Sequence, residues 1–181
     1  IDGAGRLSSC GFAPPFNPSL LGHGEGVTRL NTPTRLPSPL GGERAVSVSA
    51  GVAHSLALAA DGSVWSWGQG VFGRLGHGDE QTQWQPKKIE AFAGQRVVTV
   101  SAGAYHSLAI TTDGSVWSWG GGGAGQLGPG DEHEQLLPKK IEAFAGQRVV
   151  SVSAGTWHSL AITADGAVWS WGAGGDGRLG H

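Results

Sequence analysis

Residues Ser101 to Gly120 read SAGAYHSLAITTDGSVWSWG, and this stretch decides the fold because it occurs three times. Copies begin at Ser49, Ser101 and Ser153, a period of 52 residues; the first two agree at 15 of 20 positions and the last two at 16. Repetition at a fixed period of this length marks a repeat architecture and outranks local propensity. Within a copy, His106, Leu108 and Ile110 alternate with Ser107, Ala109 and Thr111, and Trp117 and Trp119 alternate with Val116 and Ser118. Such period-2 alternation predicts strands. Asp113-Gly114 between two runs predicts a two-residue hairpin loop, as do Asp61-Gly62 and Asp165-Gly166. Large residues (Trp, Leu, Ile, His) are assigned to one face and small ones (Ser, Ala, Thr, Val) to the other. Sheets of that kind stack large face onto small, the packing of radially repeated blades. The expected fold is all-β: a β-propeller of four-stranded antiparallel sheets, with no helix longer than about two turns.

Outward from the three heads, at 49–68, 101–120 and 153–172, the pattern continues. Pro86–Val100 agrees with Pro138–Val152 at 14 of 15 positions. The Lys-Lys-Ile-Glu run after each proline reads as an outer strand, since proline suits an edge and lysine blunts it. Leu21-Gly22-His23-Gly24 repeats Leu75-Gly76-His77-Gly78, which sets the repeat region at 21–181. The region opens and closes in mid-repeat, so about three to three and a half blades are expected, a partial ring. Residues 1–20, with Pro14, Pro15 and Pro18, read as an irregular arm or linker. One extra residue near Pro37 to Pro39 predicts a looser loop there. With no Met and Ile at position 1, a processed or partial product is expected.

Composition excludes several classes. A net charge of −2 leaves no basic footprint for nucleic acid. Cys10 is the only cysteine, so no internal disulfide framework exists, consistent with a reducing, intracellular setting. No apolar run reaches the length of a membrane span and no secretory leader is visible.

His54, His106 and His158 each precede a serine (Ser55, Ser107, Ser159) and an aspartate seven residues on, which resembles a nucleophile triad. Neighbours on one strand point to opposite faces, so His and Ser of one pair cannot share a proton. A buried histidine bonded to backbone is the expectation, with no catalytic residue. His23, His77, His133 and His181 lack metal-site spacing, and Pro129 breaks their pattern, so no metal is expected. The Gly-rich loops feed turns rather than helix N-termini, so no phosphate cradle or cofactor is expected. Trp65, Trp67, Trp117, Trp119, Trp169 and Trp171 are assigned to the core. Variation between copies concentrates at the loops, the usual binding elements of propellers. The candidate contact residues are therefore Phe72, Arg74, His77, Asp79, Trp84, Tyr105, His133 and Trp157.

The succession S-A-G-x-x-H-S-L-A-hydrophobic-x-x-D-G-x-V-W-S-W-G, a Gly-rich loop, L-G-x-G-D, then proline and a basic-apolar run resembles the regulator of chromosome condensation (RCC1) repeat. The resemblance covers about Leu21 to His181. It implies a β-propeller of which this chain is roughly half. The implied function is a non-catalytic scaffold or adaptor that presents loops to a protein partner. One alternative is a guanine-nucleotide exchange factor-like regulator of a small GTPase, though no insertion interrupts the repeats. Another is a UV-B photoreceptor-like, Trp-rich propeller, whose Gly-Trp-Arg-His-Thr motif is matched here by Gly155-Thr-Trp-His-Ser159 without the adjacent arginine. The open ends are expected to be covered by further blades, a head-to-tail second copy or another protein.

Overall fold

The computed structural model describes residues 1–12, 18–37 and 40–180; Pro14, Pro15, the expected loop at Ser38 and Pro39, and His181 lie outside them. Two complete blades form, each with its strands in sequence order. The first comprises β3 (Ala45–Ala50), β4 (His54–Ala59), β5 (Val64–Gly68) and β6 (Gln83–Lys88). The second comprises β7 (Val97–Ala102), β8 (His106–Thr111), β9 (Val116–Gly120) and β10 (Gln135–Lys140). A third sheet has three strands, β11 (Val149–Ala154), β12 (His158–Thr163) and β13 (Val168–Gly172). All pairings are antiparallel, and the described helices are single 3-10 turns of three or four residues. The ring is open, and no described helix is long and apolar enough to cross a membrane.

Register departs from expectation at the Asp-Gly turns. Leu58 pairs with Val64, Ala59 N–H donates to Ser63 O (2.9 Å), and Gly62 N–H donates to Ala59 O (2.9 Å). The loop is therefore three residues, Ala60-Asp61-Gly62: a type I turn closed by Gly62 at φ 89°. Asp61 stabilises it by accepting from Ser63 N–H (2.8 Å) and Oγ–H (2.7 Å). The Asp113-Gly114 and Asp165-Gly166 loops close in the same way. A two-residue loop would have set Trp65 opposite Leu58. The extra loop residue sets it opposite Ala57, and Trp67 opposite Ser55. Shifting register by one moves every side chain to the other face. The tryptophans therefore share a face with Ser and Ala, and His54, Leu56 and Leu58 share the other with Val64 and Ser66.

Each face thus mixes tall and short residues and interlocks with the next blade. Leu56, Leu58, Val64, Ile89 and Phe92 of the first blade pack on Val97, Val100, Ala109, Trp117 and Trp119 of the second. Leu108, Ile110, Val116, Ile141 and Phe144 repeat the contact on Val149, Val152, Ala161 and Trp171. Phe92 meets Trp117 and Trp119 edge-on at 5.8 and 5.7 Å, and Phe144 meets Trp169 and Trp171 at 5.6 Å. The outer strands end at Lys88 and Lys140. Ile89 and Phe92, with their counterparts Ile141 and Phe144, then turn inward through a 3-10 turn and are buried. The Leu-Gly step has a packing cause: Gly76 takes φ 79°, and a Cβ there would stand 2.9 Å from Trp119 Nε1 of the next blade.

Residues 1–12 are less irregular than their sequence suggests. β1 (Ser8–Phe12) pairs with β2 (Arg29–Arg35) as β5 pairs with β6. Leu36 N–H donates to Leu7 O (2.9 Å) as Ile89 N–H does to Val64 O (2.8 Å). Ser9 Oγ–H donates to Leu21 O (2.7 Å) as Ser66 Oγ–H does to Leu75 O (2.8 Å). Ser8–Phe12 therefore takes the place of a blade's third strand, with Ser8 and Cys10 where the tryptophans stand. Leu7, Leu36 and Leu40 cover the Trp65/Trp67 face of the first blade.

At the other end the face of β11–β13 is open: Ile162 is 41% exposed and Val168 71%, against 2% and 0% at Ile110 and Val116. Ile110→Ala should cost about 2–5 kcal/mol and Ile162→Ala less than about 1 kcal/mol, read from urea unfolding. Equal losses would mean that the open face is covered in solution.

Candidate functional site

The triad-like residues are brought together between blades rather than within one. His54 Nε2 lies 2.8 Å from Ser107 Oγ, and His106 Nε2 lies 2.8 Å from Ser159 Oγ. Ser107 Oγ–H donates to Arg74 O (2.9 Å) and Ser159 Oγ–H to Gln126 O (2.8 Å). With the hydroxyl proton committed to a carbonyl, the serine can only accept, so each histidine is the neutral tautomer donating from Nε2. The histidine partner is thus the serine of the next blade and not backbone, as first expected. All four side chains are fully buried, and the hairpin aspartates Asp113 and Asp165 bond locally to Thr111 and Thr163 (both 2.6 Å). Each His–Ser pair is thus a buried clamp between neighbouring blades. Burial, reinforced by the charge of Arg74 and by His106, lowers the His54 pKa to about 3; burial, with His158, lowers that of His106 to about 4.

Among the described residues, four candidate contact residues make no ring or ion contact with the other four. His77 donates from Nε2 to Ser66 Oγ (3.0 Å), whose own proton goes to Leu75 O, and burial lowers its pKa to about 4. His23 repeats this contact with Ser9 at 3.1 Å. Asp79 Oδ1 accepts from Gln81 N–H (2.9 Å), and Trp84 is half-buried on β6. His133 is exposed beside Asp131, whose Oδ1 accepts its N–H at 3.1 Å. Among the described residues no three His, Cys, Asp or Glu side chains converge.

The other four form one cluster. The β7–β8 and β11–β12 loops bring Tyr105 and Trp157 into a stack, centroids 4.2 Å apart and planes at 24°. Phe72, from the Gly-rich loop of the first blade, meets Tyr105 edge-on at 5.9 Å. Arg74 lies beneath, its guanidinium carbon 5.6 Å from the Phe72 centroid and 5.2 Å from that of Tyr105. Arg74 is 2% exposed and donates from Nη1 to Ala104 O (2.9 Å) and from Nε to Val71 O (2.9 Å); no carboxylate pairs with it among the described residues. An arginine–aromatic contact is thus present, supplied from the preceding blade rather than from beside the tryptophan. Phe72 holds φ 64°, a costly backbone for an aromatic residue, and its N–H donates to Glu80 Oε1 (2.8 Å). Glu80 was not singled out from sequence, because no spacing rule links it to Phe72. The His–Ser clamp did leave a signal, the His-Ser pair that recurs in all three repeats.

Comparison with known proteins identifies the architecture. The regulator of chromosome condensation (RCC1) repeat matches residues 61–110 and 113–162, and a second profile of that description matches 45–74, 97–126 and 149–178. The chain belongs to the RCC1-repeat family. It is 45% identical over 161 residues to the ultraviolet-B receptor UVR8 of Arabidopsis thaliana, covering 88% of this chain and 36% of that protein. It is 43% identical over 163 residues to the E3 ubiquitin-protein ligase HERC2 of Homo sapiens, covering 89% of this chain and 3% of the ligase. The solved structure of Prp20p from Saccharomyces cerevisiae superimposes with a TM-score of 0.83 at 26% identity, over 100% of this chain and 44% of that one. Human WBSCR16 superimposes with a TM-score of 0.75 at 26% identity, over 86% of this chain and 40% of that one. The chain therefore spans less than half of each of these relatives.

The clamp makes stability pH-dependent. Unfolded histidines take up protons near pH 6.5, whereas His54 and His106 resist protonation in the fold down to about 3 and about 4. Stability is then full above pH 6.5 and falls as pH drops below it, by on the order of 1 kcal/mol per pH unit for each histidine. Chemical denaturation at pH 7.5 and 5 should show this loss. His106→Gln should flatten the slope while lowering stability at pH 7.5 by about 1–3 kcal/mol. An unchanged slope in that variant would refute the assignment.

Proposed function

We propose that this chain is a non-catalytic protein-interaction module that presents the Phe72–Arg74–Tyr105–Trp157 cluster to a partner protein. The observation that carries it is that two positions that differ in every copy of otherwise near-identical repeats are brought together in one patch at one rim. Positions 53, 105 and 157 hold Ala, Tyr and Trp, and positions 72, 124 and 176 hold Phe, Ala and Asp. Core packing would favour the same residue in every copy. Backbone strain at Phe72 supports the same reading, since such strain clusters at functional sites. Half-buried aromatics with a buried arginine beneath have the composition of interface hot spots. The solved relative Prp20p is described with binding properties to Gsp1p and histones, and yeast RCC1 (Prp20) with Kap60 bound to it. An intracellular setting belongs to this reading, with Cys10 a free, exposed thiol. Among the described residues no specific contact favours nucleotide exchange or light sensing, the arginine–ring contacts there being to Phe72, Tyr105 and Phe12 rather than to tryptophan.

The test places a photo-crosslinking amino acid at Thr156, on the cluster rim, or at Gln95, near the Asp-Gly turns. Partner protein in extract should be captured from 156 and not from 95. Trp157→Ala and Tyr105→Ala, which install the residue found at Ala53, should abolish capture without changing the melting temperature. Phe72→Gly should relieve the backbone and still abolish capture. Equal capture from both rims, or accelerated nucleotide release from a small GTPase, would overturn the proposal.

A further inference from the structure

Charge is distributed unevenly between the two rims. At the Asp-Gly rim, Lys88 and Arg96 stand beside Asp61, Lys140 beside Asp113, and Arg148 lies against Gly114. Arg96 donates there to Ala60 O (2.8 Å) and Asp61 O (3.1 Å). The cluster rim is acidic. Glu25, Asp79 and Asp131 recur at one position after each Leu-Gly-x-Gly, and Glu80, Glu132 and Glu134 follow beside them. Glu25, Glu80, Glu132 and Glu134 are exposed, whereas Arg74 is buried beneath the rings.

Glu80 and the Asp131–Glu134 turn are continuous with the aromatic cluster. Glu80 accepts the Phe72 N–H directly. Gly121 lies against Tyr105 and Phe72, where a Cβ would stand 3.4 Å from Tyr105 Cβ and 3.6 Å from Phe72 Cβ. The adjoining Gly122 packs on the His133 carbonyl, within the Asp131–Glu134 turn. A half-open apolar anchor is thus bordered by carboxylates that have no ion-pair partner among the described residues, apart from Asp131 with His133.

We propose that this rim binds a basic polypeptide segment, Lys- or Arg-rich, that seats an aromatic or aliphatic side chain against Trp157 and Tyr105. The assignment rests on the interaction function proposed above and specifies the chemistry of the partner. Apolar contact supplies the anchor, and the carboxylates steer and orient the flanking cations. Nucleic acid is repelled by the same charge. The basic rim of a second copy is a weaker match, because Asp61, Asp113, Asp165, Glu90 and Glu142 dilute it.

Three short fluorescein-labelled peptides test this by anisotropy: basic with a central Phe, basic with Gly in its place, and acidic with the Phe. The first should bind about tenfold or more tighter than either other, and more weakly as salt rises from about 0.05 to about 0.3 M. Combined Glu80→Gln, Asp131→Asn and Glu134→Gln keeps the acceptors for Phe72 and His133 N–H and should cost about tenfold in affinity. Lys88→Ala with Lys140→Ala should change nothing. Equal binding of the acidic peptide, an unaffected triple variant, or concentration-dependent dimerisation by light scattering that the triple variant abolishes would each overturn the proposal. If capture from 156 persists and needs Trp157 while the basic peptide fails, the partner class is wrong and the interaction function stands. If capture fails as well, both fall.

Discussion

The stack depends on the contact between the His/Leu face of one blade and the Trp/Ala face of the next. A sheet of this composition has two apolar faces and cannot bury either alone. Stacking buries Leu56, Leu58 and Val64 under the next blade's tryptophans, and the same contact recurs one repeat later. The His54–Ser107 and His106–Ser159 bonds lie inside this apolar contact and satisfy polar atoms that burial would otherwise leave costly. A hydrogen bond placed there fixes the lateral position of one sheet on the next, which apolar packing alone specifies loosely.

That repeated contact explains why the rim can vary. Once the sheet faces are committed to stacking, the residues between strands are relieved of packing duty. Positions 105 and 157 can then differ from Ala53 without disturbing the stack. Arg74 shows how the two regions connect: its backbone carbonyl holds the Ser107 clamp, while its side chain reaches Ala104 and the rings of Phe72 and Tyr105. The scaffold therefore positions the cluster from behind, and the cluster contributes little to the scaffold.

Where the faces were misassigned, a single loop residue is the cause. Asp-Gly is compatible with both a two-residue and a three-residue hairpin. The choice rests on whether Ala60 joins the strand or the turn, and period-2 alternation is equally good either way. With the three-residue turn, tryptophan moves from the leucine face to the alanine face, and large-onto-small stacking becomes interlocking within each face. Ser8 and Cys10 conceal the blade strand at residues 8–12 for a related reason: the strand is marked in other copies by tryptophan, and its backbone pairing leaves no compositional trace.

The sequence by itself determined the repeat, its period, the strands of the three repeat heads, the places of their hairpin turns and the family resemblance, because those follow from local alternation and from copies that can be compared with one another. It also singled out Phe72, Arg74, Tyr105 and Trp157, through variation against a near-constant background. Only the tertiary structure decided that these four meet while His77, Asp79, Trp84 and His133 do not, and that each histidine finds the serine of the next blade. Those contacts join residues about 30 to 53 positions apart on separate sheets. Their geometry is set by blade stacking and by the length of one turn, which no local pattern in the chain encodes.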